Sequence, residues 1–153
     1  MANLSTQAII DAVASKAMTT GRFDQVNTHE AKNGPGNQMV CDITIMTGRV
    51  VGSASGLNVA SALLTLSVEV YCSMLQDPQD TIDTQINDSV DDLLALFVGG
   101  FTLGGLVRNV DVPGQFDSPL SWAFGHKDLS KQAVRAAQII LPLVINDAWP
   151  EVA

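Results

Sequence analysis

Residues 60–74 alternate between apolar and mostly small or polar side chains, and no other feature of the chain constrains the fold as strongly. The apolar positions are Ala60, Ala62, Leu64, Leu66, Val68, Val70, Cys72 and Met74. Successive side chains of a β-strand point to opposite faces of a sheet, so this period of two predicts a long, half-buried strand. At about 3.3 Å per residue the segment spans roughly 50 Å, which is far more than a usual strand of about five or six residues. Such a strand bends across its sheet or projects toward a neighbouring subunit.

The composition indicates one globular domain covering residues 1–153. Hydrophobic residues make up 46% of the chain, which is typical of a folded protein. No apolar run reaches the roughly 18 residues that a membrane span needs, and the N-terminus has no charged segment followed by a long apolar one. We therefore expect cytosolic synthesis and no membrane partner.

Negative charge is concentrated in one part of the chain. The formal net charge is −8, and residues 50–107 contain no lysine or arginine. The acidic residues of this window are Glu69, Asp77, Asp80, Asp83, Asp88, Asp91 and Asp92. Tight binding to nucleic acid needs clustered lysine and arginine, so the chain is a poor candidate for it. An acidic surface mainly favours solubility, and it would also let DNA slide past without sticking.

Two segments predict amphipathic helices. Residues 5–20 carry an apolar stripe that ends at Gly21, a common helix stop. The second helix is expected to begin at Asp77-Pro78, because aspartate is a natural N-cap and proline suits the first helical position. Its apolar stripe consists of Ile82, Ile86, Val90, Leu93 and Phe97, at the spacings of three and four that a helix requires.

Residues 39–45 predict a second strand, antiparallel to the long one. A turn near Gly52-Ser53 would pair residues whose numbers sum to about 105, which brings the two apolar faces together. This register puts Cys41 opposite Leu64, roughly 27 Å along the strand from Cys72. The Cα atoms of a disulfide lie within about 7 Å of each other, so the two cysteines are predicted to pack in the core as free thiols.

The remaining strands are less regular. Residues 23–29 and 106–112 each predict a short strand. Alanines in residues 131–145 favour a helix, but Pro142 resists a helix interior, so we predict a strand over 134–145 with Pro142 near an edge or end. Residues 122–126 are expected to pair with it. The predicted fold is α+β and resembles an α/β sandwich, in which two helices cover a mainly antiparallel sheet with a long central hairpin.

The sequence offers no convincing catalytic, cofactor or metal site. Asp88, Asp91 and Asp92 fall on the predicted solvent side of the second helix, whereas acid–base catalysis needs partly buried carboxylates. His29 and His126 are the only histidines, and they have no metal-ligand spacing. No Gly-x-Ser-x-Gly elbow is present, and the glycine-rich residues 48–56 lack the Gly-Lys-Ser/Thr of a phosphate loop. We predict that the chain is not an enzyme and binds no cofactor.

Four segments resemble a family of virion proteins. They are residues 23–30 (FDQVNTHE), 70–78 (VYCSMLQDP), 101–111 (FTLGGLVRNVD) and 141–147 (LPLVIND). They are similar to segments of the tail terminators of long-tailed (siphovirus-type) bacteriophages, and the predicted order of helices and strands is similar as well. The likeness covers most of the chain, although none of the segments is a mechanistic motif.

This resemblance implies a structural subunit that assembles into a ring, expected to be a hexamer. The ring would cap the tail tube, stop its polymerisation and present the head–tail joining surface. The implied partners are further copies of the chain, the major tail tube protein and the connector or neck protein. DNA would pass through without specific binding, and the protein would reside in the virion after assembly in the host cytoplasm.

Candidate contact residues lie at breaks in the pattern and in loops. Leu63 and Tyr71 are large residues on the otherwise polar face of the long strand, so they are candidates for a subunit interface together with Arg108. For Leu63 and Tyr71 the alternative is burial under the first helix, and for Arg108 it is an ion pair within the subunit. The candidates for contact with tube or connector are Lys32, Asn33, Arg49, Val50, Val51, Gln115, Phe116 and Trp122.

Two alternatives to a tail terminator stay open. The first is another structural protein of the same particle, either a neck or head–tail connector protein or a tail-tube subunit. The second is a small acid–base enzyme that uses the acidic helix and the histidines. Closed rings, long tubes or a turnover activity would distinguish the three.

Overall fold

The computed structural model describes residues 4–29, 38–51, 59–73, 82–99, 101–129 and 132–150. They form a mixed α+β fold that is mainly sheet, which confirms the predicted fold class at that level. The elements are α1 (Thr6–Met18), β1 (Gln25–Asn27), β2 (Val40–Val51), β3 (Val59–Ser73), α2 (Ile82–Val98), a 3-10 turn (Leu103–Gly105), β4 (Asn109–Val110), β5 (Ser121–Leu129) and β6 (Gln132–Pro150). The predicted start of the second helix at Asp77-Pro78 lies outside the described residues.

The long strand β3 lies in the middle of the sheet. It pairs antiparallel with β2 on one side and with β6 on the other. β1 adds to the far side of β2 in parallel, while β4 and β5 both pair antiparallel with the far side of β6. The pairing of residues 122–126 with the terminal strand is confirmed, because Trp122 lies opposite Ile139 and His126 opposite Arg135.

The strand predicted over residues 134–145 is confirmed, but the expected position of Pro142 is wrong. Pro142 lies within β6, paired with Thr65 of β3. The Asp111 N–H donates to the Pro142 carbonyl (2.9 Å), so the backbone of Pro142 faces the β4–β5 side of the strand. On this side β5 pairs with β6 as far as Ile140, and β4 pairs with β6 from Leu143 onward. Proline is tolerated because its missing N–H faces the junction between two partner strands, beyond the last pair of β5 and just outside the pairs of β4.

Both helices pack on one face of the sheet and enclose the core with it. The predicted stripe of α2, from Ile82 to Phe97, is buried, as are Ile9, Val13 and Ala17 of α1. They share one cluster with alternate residues of the central strands, including Leu66 and Leu141. The apolar stripes of the helices therefore pack on the apolar face of the sheet, as expected for helices layered on a sheet.

The register between β2 and β3 differs from the predicted one. Cys41 lies opposite Val70, not Leu64, and a bulge falls between Ile45 and Thr47. The sum of paired residue numbers is therefore 111 before the bulge and 112 after it, because β2 continues to Val51, well beyond the predicted residues 39–45.

Cys41 and Cys72 are free and buried, as predicted, but they do not have the wide separation that the predicted register implied. With Cys41 opposite Val70, Cys72 lies only two positions further along the neighbouring strand. Burial raises the pKa of the Cys41 thiol well above its usual range and that of Cys72 to about 11. Both groups are therefore neutral thiols at physiological pH.

The second face of β3, opposite the helices, is buried instead of solvent-exposed. Its polar residues Ser61, Thr65 and Ser67 are no more than 8% exposed. Val51, Val144 and Phe116 cover one end of this face. At the other end lie Val40, Val134 and Ala136. The prediction of a half-buried strand is wrong for this face. Its polar side chains are small, so residues of the neighbouring strands and of one loop pack over them.

Candidate assembly surfaces

The second face of the sheet carries a polar cleft between β2, β3, β5 and β6. Its cavity has a volume of about 340 Å³. The residues that line this polar cleft are Asp42, Thr44, Ile45, Met46, Ser67, Glu69, Lys127 and Gln138. Asp42 lies directly opposite Glu69, and Glu69 lies directly opposite Gln138. One row of polar side chains therefore crosses three strands.

Tyr71 belongs to the hydrogen-bond network beneath this cleft. Its hydroxyl donates to Asp42 Oδ2 (2.8 Å), and the Asn27 side-chain amide donates to Asp42 Oδ1 (2.8 Å). Asp42 is only 3% exposed, and Tyr71 is 2% exposed. Burial and the hydrogen bond to Asp42 raise the pKa of Tyr71, so its hydroxyl keeps the proton that it donates.

The assignment of Leu63 and Tyr71 to a subunit interface is corrected by this burial. Leu63 is 1% exposed and packs against Val51 and Val144 within the same chain. The first helix does not cover these residues, because it lies on the opposite face. Two cross-strand clusters bury them, so no partner subunit is needed to do so.

Lys127 of β5 partly neutralises the negative charge in the polar cleft. Its ammonium group forms an ion pair with Glu69 and lies 5.5 Å from the centre of the Tyr71 ring. Like charges directly opposite each other on paired strands are destabilising, and Lys127 offsets this effect where Asp42 faces Glu69. Within the described residues no group of three or more histidines, cysteines or acidic residues is placed to hold a metal ion.

The loop between β4 and β5 is fixed by a buried aspartate. Asp111 is 2% exposed and accepts hydrogen bonds from the backbone N–H groups of Gln115 (2.8 Å) and Phe116 (3.0 Å). Gln115 is exposed, whereas Phe116 is half-buried and packs on the second face. Of these two predicted contact residues, Gln115 therefore presents its side chain to solvent more fully.

Arg49, Val50 and Val51 lie in strand β2 and not at a loop tip. Arg49 is half-exposed and its guanidinium is 4.0 Å from the Asp117 carboxylate. Val50 is 55% exposed, while Val51 is 2% exposed and belongs to the cluster around Leu63. Two of the three are accessible to a partner, and Val51 is a packing residue.

Trp122 lies on β5 and is 51% exposed. Phe124, two residues further along the same face, is 42% exposed. It touches the Arg135 guanidinium, which lies 5.9 Å from the ring centre. Toward the opposite lateral edge of the sheet, Ile45 of β2 is 48% exposed, as is Val50 at 55%. Large apolar side chains therefore stand at both lateral limits of the sheet.

Both lateral edges of the sheet are open within the described part of the chain. β5 pairs only with β6, which leaves its outer side unpaired from Ser121 to Leu129. β1 covers the outer side of β2 only at residues 40–42, so Ile43 to Val50 lack a strand partner on that side. We call these the β5 edge and the β2 edge.

Arg108 remains exposed, and no described carboxylate lies within ion-pair distance of its guanidinium. The expected ion pair within the subunit is therefore not formed by the described residues, and Arg108 stays a candidate for contact with a partner. Lys32 and Asn33 lie outside the described residues.

The acidic window is partly neutralised by basic residues from outside it. Asp83 pairs with Arg135 (3.1 Å), Asp92 with Arg22 (2.6 Å) and Glu69 with Lys127. His29 and His126 are both exposed. These ion pairs join different elements, and they neutralise part of the negative charge that the window carries.

Neither the polar cleft nor the two open edges was predicted from the sequence. Asp42 and Glu69 occupy ordinary polar positions of alternating strands, so nothing in the linear pattern sets them apart. The alternation of Trp122 and Phe124 was a usable signal, because it marked a strand with large residues on one face. That this strand would lie at the outside of the sheet depends on topology.

A comparison with known protein families finds no model that matches the chain, and a comparison with curated proteins finds no match. None of the helices within the described residues is long and apolar enough to cross a membrane.

Proposed function

We propose that this chain is the tail terminator of a long-tailed bacteriophage. Copies of it form a ring, expected to be a hexamer, that caps the tail tube, ends its polymerisation and provides the head–tail joining surface. The segments quoted above from residues 23–30, 70–78, 101–111 and 141–147 supply the family resemblance on which the proposal rests.

The observation that carries the proposal furthest is the pair of open, apolar-lined edges. A β-strand edge with exposed apolar side chains is a template for pairing with another chain, and soluble proteins usually protect such edges. Here the β2 edge exposes Ile45 and Val50, and the β5 edge exposes Trp122 and Phe124. A subunit that functions only in an assembly has a reason to keep such surfaces.

The proposal includes the architecture expected of the family. The antiparallel pairings β2–β3, β3–β6, β4–β6 and β5–β6 support a mainly antiparallel sheet. β2 and β3 would form its long central hairpin, with residues 52–58 as the connection.

The proposed partners follow from the same role. Further copies of the chain form the ring, the major tail tube protein meets one of its faces, and the connector or neck protein meets the other. DNA passes without specific binding, which the net charge of −8 supports because phosphates are repelled by an acidic protein. The protein is assembled in the host cytoplasm and remains in the virion.

The direct test is genetic. In the phage that encodes this chain, deletion of the gene is expected to give tails of irregular, excessive length that do not join heads. Expression of the chain from a plasmid should restore normal particles. Tails of normal length joined to heads in the deletion strain would refute the proposal.

A second test separates the terminator from a tail-tube subunit. Negative-stain images of the concentrated, purified chain should show closed rings. Long helical tubes would instead assign the chain to the tube. Alanine replacement of His29, His126 and Asp88 is expected to leave the rings intact, and loss of a turnover activity in that variant would favour an enzyme.

A further inference from the structure

We infer that neighbouring copies of this chain join by pairing the β5 edge of one copy with the β2 edge of the next, so that one continuous sheet runs across the subunit boundary. This inference rests on the self-association in the proposed function and names the surfaces that carry it. The occupant of each edge is therefore a second copy of the chain.

The direction of pairing follows from the topology of the sheet. β2 is antiparallel to β3, β3 to β6, and β6 to β5. β2 and β5 therefore run in opposite directions. When copies stand side by side with the same face forward, β5 of one copy meets β2 of the next as an antiparallel neighbour. Two different edges of each subunit are used, and such head-to-tail contacts generate rings when the rotation closes.

The apolar side chains of the two edges lie on matching faces. Trp122 and Phe124 point to the helix-covered face, because Phe124 is opposite Ala137 of the core. Ile45 and Val50 point to the same face, because Ile45 is opposite Leu66 and the bulge at Met46 returns Val50 to that side. Edge pairing would bring these side chains together, whereas they are 42–55% exposed in the single subunit.

One register satisfies length, face and the bulge together. When the β2 edge is aligned with the β5 edge over its whole length, Val50 falls opposite Trp122, Gly48 opposite Phe124 and Ile45 opposite His126. Shifts of two residues, which preserve the faces, shorten the ladder or run into the part of β2 already covered by β1.

In this register Gly125 falls opposite the bulge formed by Met46 and Thr47. A β-bulge sets two residues against one on the partner strand and bends the backbone locally. No atom lies within 4 Å of where a Cβ of Gly125 would be, so the partner has space at this position. The Gly125 carbonyl already accepts a hydrogen bond from Arg135 Nη1 (3.1 Å), and a carbonyl oxygen has a second lone pair for the ladder.

The test is disulfide cross-linking in the full-length chain. Arg49 and Ala123 are both exposed, lie on the second face and fall opposite each other across the proposed boundary. The double variant Arg49→Cys/Ala123→Cys should become linked on mild oxidation into a ladder of dimers, trimers and larger species on non-reducing gels. Cys41 and Cys72 add no background, because both are fully buried with raised pKa values.

The matched control moves one cysteine by a single residue. Val50 points to the opposite face of β2, so Val50→Cys/Ala123→Cys should stay largely unlinked under the same oxidation. Each single variant should also stay unlinked, because the inferred contact uses two different edges.

The possible results separate this inference from the proposed function. Dimers from Ala123→Cys alone would mean that two β5 edges pair with each other, and they would overturn the head-to-tail arrangement. Rings in negative stain with no ladder from the double variant would overturn edge pairing while leaving the ring proposal standing. A double variant that neither associates nor cross-links would also overturn it, and the deletion experiment would then decide the function by itself.

Discussion

At the scale of single residues, the buried Asp42–Tyr71 pair shows how a candidate interface residue acquires another role. A tyrosine on a polar strand face combines apolar area with a hydroxyl, which suits an interface as well as an interior. The structure supplies the deciding partner, a carboxylate that is itself 3% exposed and 2.8 Å away. Tyr71 is therefore a stabilising residue of the subunit.

Replacement of Tyr71 by phenylalanine should destabilise the fold by about 1–3 kcal/mol, because the buried Asp42 carboxylate loses one of its hydrogen-bond donors. Urea unfolding followed by circular dichroism measures the change. Ser67→Ala is a control with a smaller expected effect, since the hydrogen bond that Ser67 Oγ accepts from the Gln138 side chain joins two neutral groups. An unchanged unfolding midpoint for Tyr71→Phe would contradict the assigned role.

Gly114 provides a second residue-scale prediction. Its φ is +75°, and a Cβ at this position would lie 2.6 Å from the Pro119 nitrogen. Gly114→Ala should therefore destabilise the protein by about 2–4 kcal/mol through backbone strain and overlap together. Gly21 has φ +70° with nothing within 4 Å, so Gly21→Ala should cost only the strain, about 1 kcal/mol. Equal losses in thermal unfolding experiments would refute the overlap.

At the scale of elements, the strands are held in place by pairs that connect distant parts of the chain. Lys127 of β5 forms an ion pair with Glu69 of β3, and Arg135 of β6 forms an ion pair with Asp83 of α2. The first pair is the more protected, with side chains 33% and 23% exposed. It also lies beside Asp42, so its energetic effect is expected to exceed that of a surface ion pair.

A double-mutant cycle on Lys127→Met and Glu69→Gln should give a coupling energy of about 0.5–1.5 kcal/mol, with Lys127→Met the more harmful because Glu69 then faces Asp42 without a cation. The matched control is the cycle on Arg22→Met and Asp92→Asn, whose side chains are 43% and 41% exposed. It should give a smaller coupling energy, because solvent screens an exposed ion pair. Additive effects in the first cycle would show that Lys127 does not stabilise the cleft.

At the scale of the whole molecule, the arrangement of strands leaves two unlike edges on opposite sides of one sheet. A subunit that pairs through one edge with the same edge of a second copy forms a two-fold dimer and stops there, whereas two unlike edges lead to head-to-tail assembly. The proposed ring thus depends on strand order more than on any single residue. The exposed apolar residues at these edges can be substituted to test the arrangement, because they are not part of the subunit core.

Trp122→Lys should prevent ring formation while leaving the subunit folded, because it places a charge in the proposed contact and a lysine on an edge strand disfavours pairing. Size-exclusion chromatography with light scattering measures the assembly, and thermal unfolding measures the fold. Met18 of α1 is a control, since it is 63% exposed and belongs to a helix and not to either edge strand. Met18→Lys should assemble normally, and normal assembly of Trp122→Lys would remove the β5 edge from the contact.

The sequence by itself determined the two elements whose periodicity is strong, the long strand β3 and the stripe of α2, together with their core-facing sides. It also predicted the terminal strand β6, through the resistance of Pro142 to a helix interior. Local side-chain period reports burial on one face directly, which is why the predictions of β3 and α2 hold. Only the tertiary structure decided the β2–β3 register, the closure over the second face of β3 and the contacts of Tyr71 and Leu63. These depend on where a connection turns and on which strands become neighbours, and such long-range choices leave no period in the chain. The 60–74 alternation therefore identified a central strand, while the sheet around it decided that both of its faces are buried.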